Sequence, residues 1–125
     1  MLPFFADFKA GVPIAGQIVQ AVKKAVFSGR MRAGARFPSV RTISQELRAN
    51  PNTVHKAVEA LVKEGILEVR TDLGVVVGKN VKATPGQRRE LLEEDVESLI
   101  GEAKKLRLDV DDVLQSVRQH WKKSS

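Results

Sequence analysis

Residues 36–65 read RFPSVRTISQELRANPNTVHKAVEALVKEG, and their pattern decides the fold. Ser39 stands where a helix cap belongs, and Val40, Ile43 and Leu47 follow on one helical face. The short turn Arg48-Ala49-Asn50 separates this pattern from a second one. Asn50 is a good N-cap, and Pro51 suits the first helical position, where a missing N–H costs nothing. Val54, Ala57, Val58, Leu61 and Val62 then form one apolar stripe at helical spacing, closed by Gly65. The second helix opens with small polar residues and then basic ones. Two short helices joined this way present a recognition helix to a DNA major groove.

The flanking sequence extends the reading. Upstream, a helix is expected over Ile14–Ser28, with Ile14, Ile18, Val19, Val22, Ala25 and Val26 on one face, Pro13 in its first turn and Gly29 at its end. Residues 30–38 read as a loop. Downstream, Ile66–Arg70 and Val75–Val77 read as strands joined by the turn Thr71-Asp72-Leu73-Gly74. Three helices and a β-hairpin make a winged helix-turn-helix. The expected fold is therefore mainly α with a small hairpin, the DNA-binding domain occupying residues 1–80.

A second module is expected over residues 84–125. Thr84-Pro85-Gly86-Gln87 has the form of a capping box. Leu92, Val96, Leu99, Ala103 and Leu106 alternate spacings of four and three, a seam rather than a broad core face. Asp109-Val110-Asp111-Asp112 starts another helix, with its acids at the positive end of the helix dipole. Val110, Val113, Leu114, Val117 and Trp121 form its stripe. Two helices of this length cannot cover both stripes by themselves. They need the winged domain or a second chain, and a homodimer is the expectation, because winged-helix readers commonly bind two half-sites.

Charge agrees. The chain of 125 residues carries a net charge of +6. Lys23, Lys24, Arg30, Arg32, Arg36, Arg41, Arg48 and Lys56 face a single acid, Glu46, across residues 20–56, whereas acids and bases nearly balance after residue 86. Positive charge concentrated around the two-helix motif suits phosphate binding. Several other classes are disfavoured. There is no cysteine, hence no disulfide or thiolate metal site. No apolar run approaches a membrane span, and the opening Met1-Leu2-Pro3-Phe4-Phe5-Ala6-Asp7 lacks the basic start of a secretory signal, so a cytoplasmic protein is expected. His55 and His120 lie in different modules, so neither a metal nor another cofactor is expected. No constellation of nucleophile, base and acid supports an enzyme.

Pro13-Ile14, Gln17-Ile18, Gly29, Gly34, Phe37-Pro38-Ser39-Val40-Arg41, Asn50-Pro51-Asn52-Thr53-Val54, Ala57, Leu61 and Glu64-Gly65, in this order, resemble the DNA-binding domain of the GntR family of bacterial transcription regulators. The resemblance covers about residues 10–78. The tail is similar in length and helical character to the YtrA-like subfamily. The family implies that Arg41 clamps a phosphate or approaches a base edge, and that Asn52, Thr53, His55 and Lys56 face the groove. Ser39 is read first as a cap whose neighbouring amides can hold a phosphate. The family's wing carries two glycines around one residue. Here Asp72 replaces the first and Gly74 remains, so Arg70 at the wing's base becomes the candidate contact. Ala15 and Val58 stand where the family has tyrosines.

The resulting expectation is a sequence-specific DNA-binding transcription regulator, a repressor that binds a two-fold symmetric operator as a homodimer through Ser39, Arg41, Asn52, Thr53, His55, Lys56 and Arg70. Leu92, Val96, Leu99, Ala103, Leu106, Val113, Val117 and Trp121 are expected at the dimer interface. The alternative is a structural DNA-binding protein without sequence preference. Double-stranded DNA is the expected partner. The tail leaves room for a small-molecule effector, but no residue pattern identifies one.

Overall fold

Pro13 fixes the backbone for the first helix, α1, which runs from Ile14 to Phe27 in the computed structural model describing residues 1–125. Helix α2 spans Val40–Leu47, and α3 spans Pro51–Lys63. The Ser39 hydroxyl caps α2 by accepting the Thr42 N–H at 3.1 Å. The Asn50 side chain caps α3 by accepting the Asn52 N–H at 2.8 Å. Each cap satisfies one of the backbone donors that a helix start leaves unpaired. Between the helices, Arg48 adopts the left-handed region at φ 53°, a role more often given to glycine. That residue turns the chain so sharply that Ala49, just after it, is buried.

Strands β1 (Leu67–Arg70) and β2 (Gly74–Val77) pair antiparallel, with Leu67 opposite Val77 and Arg70 opposite Gly74. Residues 34–37 add a short third edge along the other side of β2. Arg36 bridges Val76, the Phe37 N–H donates to Val75 O at 2.8 Å, and the Val77 N–H donates to Ala35 O at 2.8 Å. The expected loop is therefore partly strand. Its glycine, alanine and arginine carry no alternating pattern, so the pairing is imposed by the wing and not by local preference.

The core lies where the helices meet the hairpin. α3 packs on α1 and α2 and leads directly into β1. Ile18, Val22, Ile43, Val54, Leu61, Leu67, Val76 and Val77 are almost completely buried. Truncating one of the larger of these to alanine costs about 2–5 kcal/mol by lost burial and the cavity left behind. Phe4 stacks on Phe37 with ring centroids 5.8 Å apart, which draws the N-terminal segment onto the core, while Phe5 faces solvent.

The chain divides into two compact units, Met1–Leu91 and Leu92–Ser125. The boundary differs from the expected one near residues 80–84. Helix α4 (Pro85–Glu90), opened by the capping box of Thr84 and Gln87, belongs to the first unit, and Leu91 at its end is buried. Leu91 and Leu92 form the turn between α4 and the next helix, so the segment from Thr84 to Leu106 is two helices. Within the second unit, α5 covers Glu93–Lys105 and α6 covers Val110–Ser124. Asp109 and Asp112 form a reciprocal capping box at the start of α6. The hydrogen bond from the Asp112 backbone N–H, then that with the Asp112 side chain, holds the Asp109 carboxyl below the usual aspartate value. No helix is long and apolar enough to cross a membrane.

Candidate nucleic-acid interface

Helix α3 turns Val54, Ala57, Val58 and Leu61 inward. The 3.6-residue period then places Asn52, His55, Lys56, Glu59 and Lys63 on one exposed stripe. Thr53 is half-buried beside it, and its backbone N–H donates to Asn50 O at 3.0 Å. The four α3 residues singled out from sequence thus lie on or beside a single surface, near a capped N-terminus. The Asn50 side-chain oxygen is already engaged as the cap.

Ser39 and Arg41 flank the start of α2. The Ser39 hydroxyl accepts from the Thr42 N–H and also donates to Thr42 Oγ1 at 3.0 Å, so it acts locally as a cap. Arg41 is exposed in the first turn. Arg70 ends β1 and is half-buried, with Nε 3.9 Å from Asp72 Oδ1. The acid that replaces the wing glycine therefore faces the arginine at the wing's base and partly offsets its charge.

Two exposed residues nearby were not among the candidate contacts, although Arg36 was counted in the basic cluster. Arg36 sits in the third edge of the wing, for which no sequence signal exists. Glu59 Oε1 lies 2.8 Å from His55 Nδ1 on the outward stripe, and the i,i+4 spacing was the available signal.

The second unit exposes an apolar surface. Leu92, Val96, Leu99 and Leu106 around α5, and Val117 and Trp121 on α6, are exposed, Trp121 by 76%. Val113 is half-buried. Ala103 departs from the expected seam: at 7% exposure it is already covered within the single chain. Ile100, Leu108, Val110 and Leu114 enlarge the exposed set.

Elsewhere, a cleft of about 340 Å³ in the first unit is lined by Gln20, Lys23, Phe27, Glu64, Asn80 and Gln87 among others. Lys23 and Glu64 pair with each other there at 3.0 Å.

Comparison with known proteins agrees with this geometry. Residues 14–77 match the family described as bacterial regulatory proteins, gntR family. Over 98 residues the chain is 36% identical to the HTH-type transcriptional repressor YtrA of Bacillus subtilis, covering 78% of this chain and 75% of that protein. A GntR family transcriptional regulator from Listeria monocytogenes superposes with a TM-score of 0.66 at 23% identity, over 90% of this chain and 98% of that one. YtrA from Sulfolobus acidocaldarius, a GntR-family transcription factor, gives a TM-score of 0.56 at 24% identity, over 95% and 97%. These structures share the fold, while the family match and the Bacillus relative fix the lineage. The chain belongs to the gntR family of bacterial regulatory proteins.

Proposed function

We propose that this chain is a cytoplasmic, homodimeric transcriptional repressor that reads a two-fold symmetric operator through α3. One observation carries the proposal: the exposed stripe that starts at Asn52 on a capped, well-anchored helix, within the most basic part of the chain. Asn52 and Thr53 offer short polar groups to base edges, and Lys56 reaches a phosphate or a guanine. Arg41 holds a phosphate from α2, with the Val40 and Arg41 amides adding positive potential at that helix start. Arg70 approaches the backbone from the wing. The repressor role follows the relative from Bacillus subtilis, which carries that description.

The tail supplies the second half of the proposal. Its leucines, valines and tryptophan are exposed in the single chain, and exposed apolar residues gathered on two short helices suit a protein partner. A second copy covers it with Leu92, Val96, Leu99, Leu106, Val113, Val117 and Trp121. An effector would act by changing the separation of the two recognition helices.

Selection of bound duplexes from a random pool tests the reading directly. The expected product is a consensus with two inverted half-sites. Bound duplexes without any consensus would overturn sequence-specific repression in favour of structural DNA coating. Light scattering on the full chain tests assembly: a monomer persisting at roughly tens of micromolar would remove the dimer. Affinity should also fall about 10³–10⁵-fold between roughly 50 and 200 mM salt if the dimer neutralises about 6–10 phosphates.

A further inference from the structure

The outward stripe of α3, read above as the face toward DNA, carries a carboxylate, Glu59. Glu59 lies one turn beyond His55, and both side chains are mainly solvent-exposed, 67% and 61%. An acid in that position weakens non-specific attraction to DNA, so its presence calls for a compensating role. Helix stability does not supply one. The histidine precedes the acid, the less favourable order along the helix dipole, and an exposed pair of this kind contributes little.

The pair does fix one chemical property. Glu59 Oε1 is 2.8 Å from His55 Nδ1. A carboxylate only accepts, so Nδ1 carries the proton while the contact is made. In the neutral ring the proton is then absent from Nε2, which becomes a hydrogen-bond acceptor at the far edge of the imidazole. In the major groove, adenine N6 and cytosine N4 are the donors, whereas guanine and thymine present acceptors at the corresponding edge. Without Glu59, the ring is free to place its proton on Nε2 and offer a donor instead.

We propose that Glu59 is a specificity-determining residue that acts through His55: it holds the Nδ1–H tautomer, so that Nε2 selects an amino-bearing base, adenine or cytosine, at one position of each half-site. This inference rests on the reading of α3 as the base-reading helix. Glu59 is a positioning residue in this arrangement, and His55 makes the contact.

Two measurements test it. The chain has two histidines, so nitrogen NMR of histidine-labelled protein gives two assignable rings. His120 provides an internal control, because its Nδ1 is 2.8 Å from the Ser116 carbonyl and is fixed independently. At a pH high enough to neutralise imidazole, wild-type His55 should show Nδ1 protonated. In Glu59→Ala, which removes the acceptor, it should move toward the Nε2–H form, while His120 stays unchanged. An unchanged His55 tautomer in the variant overturns the proposal.

The second measurement is duplex selection with wild type, Glu59→Ala and His55→Ala. One position per half-site should favour adenine or cytosine in the wild type by about 3- to 10-fold, the span of one net hydrogen bond. Both variants should lose that preference, with the remaining positions retained. A wild-type consensus that is insensitive to Glu59→Ala, or that favours guanine or thymine at the His55-dependent position, overturns this inference and leaves the repressor reading standing. Absence of any wild-type consensus overturns both.

Discussion

Asn50 provides the most discriminating perturbation, because folding and DNA binding make opposite demands on it. Its side-chain oxygen accepts the Asn52 N–H at 2.8 Å and starts α3. Asn50→Ala removes that acceptor and should cost about 1 kcal/mol. For a unit spanning Met1–Leu91, the melting temperature should fall by about 4–8 °C. Asn50→Asp keeps the acceptor and adds a negative charge at the favourable end of the helix, so its stability should match wild type within a few tenths of a kcal/mol. Under the proposed binding mode the same charge would then stand close to the DNA, whose phosphates repel it. A charge pair at contact distance in a water-like dielectric is worth about 1 kcal/mol, so the two chains of a dimer should together lose about 30-fold in affinity. Calorimetric melting and fluorescence anisotropy with an operator duplex read the two effects separately. If Asn50→Asp melts like Asn50→Ala, the side-chain oxygen is not what anchors α3. If Asn50→Asp binds like wild type, the N-terminus of α3 does not face phosphates.

Asn52→Ala and Thr53→Ala should lose about 1–3 kcal/mol on the selected duplex and little on a scrambled one, with circular dichroism confirming an intact helix. Arg41→Ala should weaken both duplexes and flatten the salt dependence by about one unit per chain, measured by titration at several salt concentrations. Gly78→Ala should destabilise the first unit by about 1–3 kcal/mol, because the new Cβ would stand 2.5 Å from the Gly65 carbonyl oxygen, and a thermal melt reads this directly. The Asp109 carboxyl should titrate below an aspartate in an unstructured peptide. The stabilisation from its ionised form is present above the ordinary value of 3.8 and is lost as pH falls through the lower folded value, and a carbon NMR titration follows it.

The helix-turn-helix was legible because its signals are local. Ser39, Asn50 and Pro51 mark helix starts by their own chemistry, and Val54, Ala57, Val58 and Leu61 mark a face by spacing alone. The hairpin was legible for the same reason, from β-branched runs around Gly74. Pairings between distant segments were not. Nothing near Arg36 announces a partner at Val76, and nothing in Phe4 specifies a stack on Phe37. The helix break at Leu91 was hidden because an unbroken apolar seam and two short stripes meeting at adjacent leucines look alike in sequence. On α3, the outward stripe followed from the inward one, but the contact between Glu59 and His55 Nδ1 required the coordinates.

The third edge of the wing has a consequence for how the molecule folds. The backbone bonds joining Phe37 to Val75 and Ala35 to Val77 close a loop that contains α2, α3 and β1. The hairpin can zip early from its own turn, but β2 acquires its second neighbour only once both helices have brought the ends of that loop together. Opening that edge therefore releases the loop that encloses the recognition helix. Amide protons of Phe37 and Val77 should accordingly exchange at the pace of whole-unit opening, not at the faster pace of an ordinary wing, and α3 and the wing should be gained and lost as one cooperative piece.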